Sequence, residues 1–386
     1  MNRKQFIILL ALVGVVGAAG LLVRQHGSDS WHSAGGNIGG KLLPGLAVND
    51  IAQIRIQSGT NELNLTRRDN LWRVRERADY AADFSQIRDL IMKLADLKIS
   101  QTEEIGPSQL GRFGLLPPGP ATNSGTQFDL KDPAGKTLAA LLLGKTHLKK
   151  PAADSQFGGL GGEGWPDGRY VMTGAGSGTV AVISDPLQSV QPKPELWLDK
   201  DFLKIEKPRA VAVQFSEPTN SWKLIRASET NEWVLADARP NEKLDASKIY
   251  GVTSPFSSVS FNDVAPLSSN NLPDPATVTV ETFDGFTYVA RIGSKANEYY
   301  PVSFVVTARP ATERTPANGE KPEDKTRLDK AFKDRQSQLS DQLTRDKQFE
   351  HWVYQLPAYS VEEILKPRPQ ILSEMNTNTP PQAHSS

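Results

Sequence analysis

Between Ile51 and Val74 the chain alternates apolar and polar residues in three short runs: Ile51, Ile54 and Ile56, then Glu62 to Arg67, then Asn70 to Val74. A period of two predicts half-buried strands. The period then lengthens. Phe84, Ile87, Leu90, Ile91, Leu94 and Leu97 recur at helical spacing behind Asp83, an N-cap residue with Gln86 three positions on. The same order of signals returns further along the chain. Val211 to Val213 with Phe215, Trp222 to Ile225 and Asn231 to Leu235 take the three strand places, and Asp245 is expected to cap a helix carrying Ile249, Val252 and Phe256. Trp72 precedes Asp83 by 11 residues and Trp233 precedes Asp245 by 12, so both tryptophans are expected in the core.

Each copy continues with a hairpin pattern. In the first, Leu116-Pro117-Pro118 precedes Gln127 to Leu130, a turn at Asp132 to Gly135, and Leu138 to Leu143 ending in Gly144-Lys145. In the second, Leu272-Pro273-Asp274-Pro275 precedes Val278 to Val280, a turn at Asp284-Gly285, and Tyr288 to Ile292 ending in Gly293-Ser294-Lys295. Alternation around a Gly-containing turn predicts antiparallel pairing. Tyr170 to Thr173 with Val180 to Ile183, and Tyr299 to Val306, are the closing strands. The expected fold is α+β: an N-terminal transmembrane helix followed by two repeated, mostly antiparallel sheet-plus-helix domains.

Outside the repeats the pattern changes again. Lys149 to Gly168 is rich in Gly, Pro and Asp and reads as a long surface loop. Thr307 to Asp324 is polar and contains Pro310, Pro316 and Pro322; Lys325 to Gln348 is charged, with Leu328, Phe332, Leu339 and Leu343 as a heptad-like seam. One reading lays this helix on its own sheet. The other makes the four residues a partner-binding face. His351 to Leu356 reads as a strand, Tyr359 to Leu365 as a short helix ended before Pro367, and the segment from Ser373 as a disordered tail.

Phe6 to Val23 is a run of 18 uncharged residues preceded by Arg3 and Lys4. That length suits a spanning helix, and the basic flank puts the N-terminus in the cytoplasm. The expectation is a single-pass protein of the bacterial inner membrane with residues 6–23 in the bilayer and a periplasmic body. A cleavable signal peptide is the rival, since Gly17-Ala18-Ala19-Gly20 offers small residues, but Leu21-Leu22-Val23 extends the apolar run past them. The expected boundaries are 1–24 for the anchor, 25–44 for a flexible tether and 45–195 for the first repeat. They continue with 196–310 for the second repeat, 311–372 for the linker, charged helix and closing strand, and 373–386 for the tail.

Asp50-Ile51 through Trp72, Tyr80-Ala81-Ala82-Asp83 with its helix, Gly114-Leu115-Leu116-Pro117-Pro118, and Leu142-Leu143-Gly144-Lys145 together resemble the bacterial domain-of-unknown-function family 4340. The resemblance covers most of the chain. It implies a membrane-anchored, non-cytoplasmic protein of repeated units, often encoded beside ABC-type transport or gliding-related components, and it brings no catalytic residues with it.

Composition narrows the chemistry. The 386 residues include no Cys, which excludes disulfides, thiolate metal sites and a cysteine nucleophile. Lys and Arg number 44 and Asp and Glu 44, with no basic block, which argues against nucleic-acid binding. Gly159 to Gly164 satisfies G-x-G-x-x-G, but Trp165-Pro166 follows where a helix would have to begin. Gly174 to Gly178 looks like a nucleophile elbow but has Ala175 where its first glycine is needed, and reads as a hairpin tip. His26 and His32 with Asp29 sit in the tether without packing to hold a metal, and Glu103-Glu104 and Glu362-Glu363 are adjacent acids that point apart. His147 among Lys145, Lys149 and Lys150 is a candidate anion contact, and Trp165 a candidate exposed ligand contact. No cofactor is expected. The functional expectation is a non-enzymatic accessory or scaffold protein of the envelope working with ABC-type transporter subunits. Its alternative is a binding module that takes a glycan or peptide in a groove between the repeats.

Overall fold

The computed structural model describes residues 38–149, 165–173, 179–269, 272–273, 275–316 and 320–373. The expected anchor, the tether histidines, the Gly159–Gly164 and Gly174–Gly178 motifs and nearly all of the tail lie outside the described residues. The chain divides into two compact units, Met1–Asp199 and Lys200–Ser386.

The first unit is built on strands β1 (Gln53–Ser58), β2 (Asn61–Arg68), β3 (Leu71–Val74) and β4 (Tyr80–Ala81), helix α1 (Phe84–Asp96), and strands β5 (Ile99–Glu104), β6 (Thr126–Lys131), β7 (Thr137–Lys149), β8 (Trp165–Thr173) and β9 (Thr179–Ile183). The sheet order is β4-β3-β2-β1-β6-β7-β8-β9-β5. Ile54, Ile56, Leu63, Leu65 and Val74 are buried on one face, as alternation requires. Asp83 accepts a hydrogen bond from the Gln86 amide at 3.0 Å and so caps α1. Ile87, Leu90 and Leu94 are its buried stripe; Phe84, at the first turn, points to solvent. The β6–β7 turn closes on Asp132, whose side chain accepts from the Lys136 amide at 2.9 Å while Gly135 takes φ +83°.

The second unit contains β10 (Pro208–Gln214), β11 (Trp222–Ile225), β12 (Val234–Leu235), β13 (Val264–Pro266), β14 (Ala276–Thr282), β15 (Phe286–Ile292) and β16 (Tyr299–Ala308), then helix α2 (Pro322–Asp346), strand β17 (Trp352–Pro357) and the short helix α3 (Ala358–Glu362). Its sheet order is β12-β11-β10-β14-β15-β16-β17-β13. Strand for strand this repeats the first sheet, with β4 unmatched. Its core gathers Phe202, Phe256, Phe261, Phe304 and Tyr354, with Phe202 and Tyr354 ring centres 4.7 Å apart.

Register makes the equivalence residue-specific. Ile54 pairs with Leu65 and Leu65 with Val74, while Val211 pairs with Leu224 and Leu224 with Leu235. Trp72 and Trp233 lie two positions before Val74 and Leu235 and therefore correspond. Leu130 pairs with Ala139 and Val280 with Tyr288, and counting five residues on puts Gly144 opposite Gly293 in the same scheme. Both glycines stand where a loop crosses the strand: a Cβ on Gly144 would run into the Phe113 carbonyl oxygen, and one on Gly293 would lie 3.0 Å from Leu272 Cδ2.

Three expectations need correction. Asp245 caps no helix. Residues 246–258 form turns, with the Asp245 carboxylate accepting from the Ser247 amide at 3.0 Å, because Pro255 breaks the helical path and Phe256 sits at φ +59°. Ile249, Val252 and Phe256 still reach the core from this irregular backbone. Trp233 is only half-buried, under the Arg226 guanidinium 4.8 Å from its ring centre, whereas Trp72 is 4% exposed. Finally, Trp165 to Gly168 belong to β8 and not to a loop.

Candidate functional site

The charged segment forms the 25-residue helix α2, and its four seam residues are not equivalent. Leu339 is 5% exposed, while Leu328, Phe332 and Leu343 are half-buried. Polar contacts hold the helix to its own unit. Arg335 reaches Asp284 in the β14–β15 turn at 2.8 Å, Gln336 donates to the Ala311 carbonyl at 2.7 Å, and Gln342 donates to the Tyr288 hydroxyl at 3.2 Å. Tyr288 in turn donates to buried Asp346 at 2.7 Å. Burial pushes the Asp346 carboxyl above its ordinary value and the Tyr288 phenol upward. At the other end, Arg314 pairs with Glu320 and with Asp329, the latter at 2.8 Å. These contacts lay the helix against its own unit, the first of the two readings of its seam.

Trp165 opens β8 opposite Lys149 and is 64% exposed. His147 does not stand open to an anion: its Nδ1 lies 2.6 Å from the Asp167 carboxylate, and its ring packs edge-on against Tyr170 with centres 5.6 Å apart. Glu103 and Glu104 are exposed on β5, and Glu362 pairs with Lys295 at 2.9 Å. Among the described residues no group of three or more His, Asp or Glu is placed to hold a metal ion.

Two arginines escaped the reading of the sequence. Arg368, 2% exposed, receives Glu242 at 2.7 Å and Asp237 at 2.8 Å and donates to the carbonyls of Ser221 and Asp237. Both its acids belong to loops that precede it by more than a hundred residues, so no local pattern announces the cluster. Arg169, in the middle of β8, donates through Nε to the Gly144 carbonyl at 2.8 Å and through Nη1 to the Leu187 carbonyl at 3.2 Å. It borders a cavity of about 560 Å³ at the end of the first sheet where β1 turns into β2.

These features define a tandem α+β repeat with a long helix inserted before the last strand of its second sheet. The chain belongs to the family described as Domain of unknown function (DUF4340), whose family model matches residues 72–281. The match runs from β3 to β14 and so contains the junction between the repeats. It covers just over half of the chain, less than the resemblance suggested, and begins after the Asp50-Ile51 segment. No curated protein and no solved structure matches the chain.

Proposed function

We propose that this chain is a non-enzymatic accessory or scaffold protein of the bacterial cell envelope. Residues 6–23 hold it in the inner membrane, its N-terminus is cytoplasmic and its repeats are periplasmic. The observation that carries the reading is the uncharged run Phe6–Val23 behind Arg3 and Lys4. Among the described residues no helix is long and apolar enough to cross a membrane, which leaves this run as the anchor of the proposal. ABC-type transporter subunits are the proposed partners, by extension from the family resemblance. The half-buried Leu328 and Phe332 on the first half of α2 are the side chains proposed to meet them, since Leu339 is taken up at home.

The test is crosslinking in intact membranes followed by identification of the captured proteins, alongside fractionation and protease treatment of whole cells. Transporter subunits among the captured proteins, and a body protected in intact cells, are expected. A soluble mature chain beginning near Gly20 would overturn the anchor.

A second reading, an envelope module that binds a glycan or peptide, is favoured by the exposure of Trp165, since an aromatic face suits a sugar ring. Quenching or shift of its fluorescence on titration with cell-wall oligosaccharides, lost in Trp165→Ala, separates this reading from the first.

A further inference from the structure

The cavity beside Arg169 is unusual in its charge. Its walls include Arg169 and Lys193 and the neutral polar side chains of Ser58, Asn61, Thr146 and Gln188, and no carboxylate lines it. Among the described residues neither cation has an ion-pair partner. Arg169 is half-buried, and both of its hydrogen bonds go to carbonyl oxygens, which fix the fork without neutralising it. Burial lowers its pKa below the ordinary guanidinium value, and no neighbouring acid offsets that effect. A partly desolvated charge without a counter-charge costs stability, and a bound anion would supply the counter-charge.

We propose that this cavity is a binding site for a small oxyanion-bearing polar ligand, its phosphate or carboxylate group held by Arg169 and Lys193 and its hydroxyls by the neutral donors around them. The volume of about 560 Å³ falls within the range of small-ligand sites. Arg169 supplies the oriented contact because two carbonyls hold its plane; Lys193, exposed on the 186–193 segment, supplies a movable point charge. Ser58 and Asn61 come from the facing ends of β1 and β2, Thr146 from β7 and Arg169 from β8, so three stretches distant in sequence line one cavity. Neither the membrane anchor nor a protein partner contributes to this site.

The experiment titrates the full-length purified protein with inorganic phosphate and, separately, with acetate, each against chloride at matched ionic strength, by calorimetry and thermal melting. Saturable binding of at least one probe is expected. Tighter phosphate binding identifies a phosphate-bearing ligand, and comparable or tighter acetate binding a carboxylate. Lys193→Gln should weaken the bound probe by roughly tenfold. Arg169→Lys, which keeps the charge and loses the fork, should weaken it as well. Asn61→Asp, which puts a carboxylate on the wall at an exposed position, should abolish binding without unfolding the chain, and decides the matter if Arg169→Lys fails to fold. Effects that merely follow chloride for both probes, or affinities unchanged in Lys193→Gln and Asn61→Asp, overturn the proposal.

Discussion

The Tyr288 hydroxyl donates a 2.7 Å hydrogen bond to Asp346 Oδ2, joining the third residue of β15 to the last residue of α2 across 58 positions of sequence. Both side chains are buried, and Gln342 completes the phenol's bonding from the preceding turn of the helix. Tyr288→Phe removes the donor and leaves a buried carboxylate short of one partner. The expected cost is about 1–3 kcal/mol, read from chemical denaturation, with the loss of structure extending to α2.

Leu339 offers a sharper division of the helix. Leu339→Ala should destabilise the second unit by about 2–5 kcal/mol, the cost of emptying a filled core position. Leu328→Ala and Phe332→Ala remove side chains that remain partly in solvent, and about 1 kcal/mol is expected for each. If the first half of α2 meets a partner, the latter two substitutions reduce co-purification from membranes while melting falls by only a few degrees. Melting curves set beside the yield of captured partner check both statements.

Acid should loosen the Arg368 cluster. The Arg368 guanidinium, hydrogen-bonded to Glu242, holds that carboxyl well below its ordinary value of 4.5, at about 2. A carboxyl with a depressed folded-state pKa contributes stability that is complete above its unfolded value and disappears as pH falls through the folded one. The contribution is therefore present above pH 4.5 and lost between there and about pH 2. Denaturant midpoints measured down this range should fall, and Glu242→Gln should flatten the part of the slope that belongs to this pair.

Gly144→Ala tests the crossing of the first unit. The added methyl meets the Phe113 carbonyl oxygen and the Leu115 side chain, so backbone must shift, and a loss of about 1–3 kcal/mol is expected. Gly293→Ala meets the flexible end of Leu272 and the Pro301 ring at 3.0 Å, both side-chain contacts wider than the one at Gly144, and should cost less. Equilibrium unfolding of the two variants gives the comparison directly.

What the sequence disclosed follows from how local each signal was. Strands β1 to β3, the Asp83 cap and the two Gly-containing hairpin turns are specified within a dozen residues and were legible. The turns behind Asp245 were not, because three apolar residues at helical spacing say where side chains are buried and Pro255 decides the backbone that carries them there. Strands β4, β5 and β13 left little trace: β5 reads Ile-Ser-Gln-Thr-Glu-Glu, exposed after its first residue, and owes its conformation to β9. The seam of α2 was visible, but its division into a buried Leu339 and three partly covered neighbours depended on a sheet the heptad pattern does not mention. Arg169 gave no signal at all. Its significance lies in the carboxylates missing around it, and a missing neighbour is a property of the folded chain.

The placement of β5 and β13 at the margins of their sheets has a consequence for the order in which the chain matures. Each is synthesised well before its partner: Ile99 waits for Ile183, and Val264 for Tyr354. A chain emerging from a ribosome or a translocation channel would hold Val264–Pro266 without its hydrogen-bonding mate until α2 and β17 had followed it out. Such distant pairing slows closure and lengthens the time during which a strand is available to the wrong neighbour. The polar face of β5 and the brevity of β13 limit that exposure. Truncation just before Trp352 should accordingly yield a second unit that stalls half-made, since the same cut removes the last-arriving strand and, among the described residues, the strand with which β13 pairs.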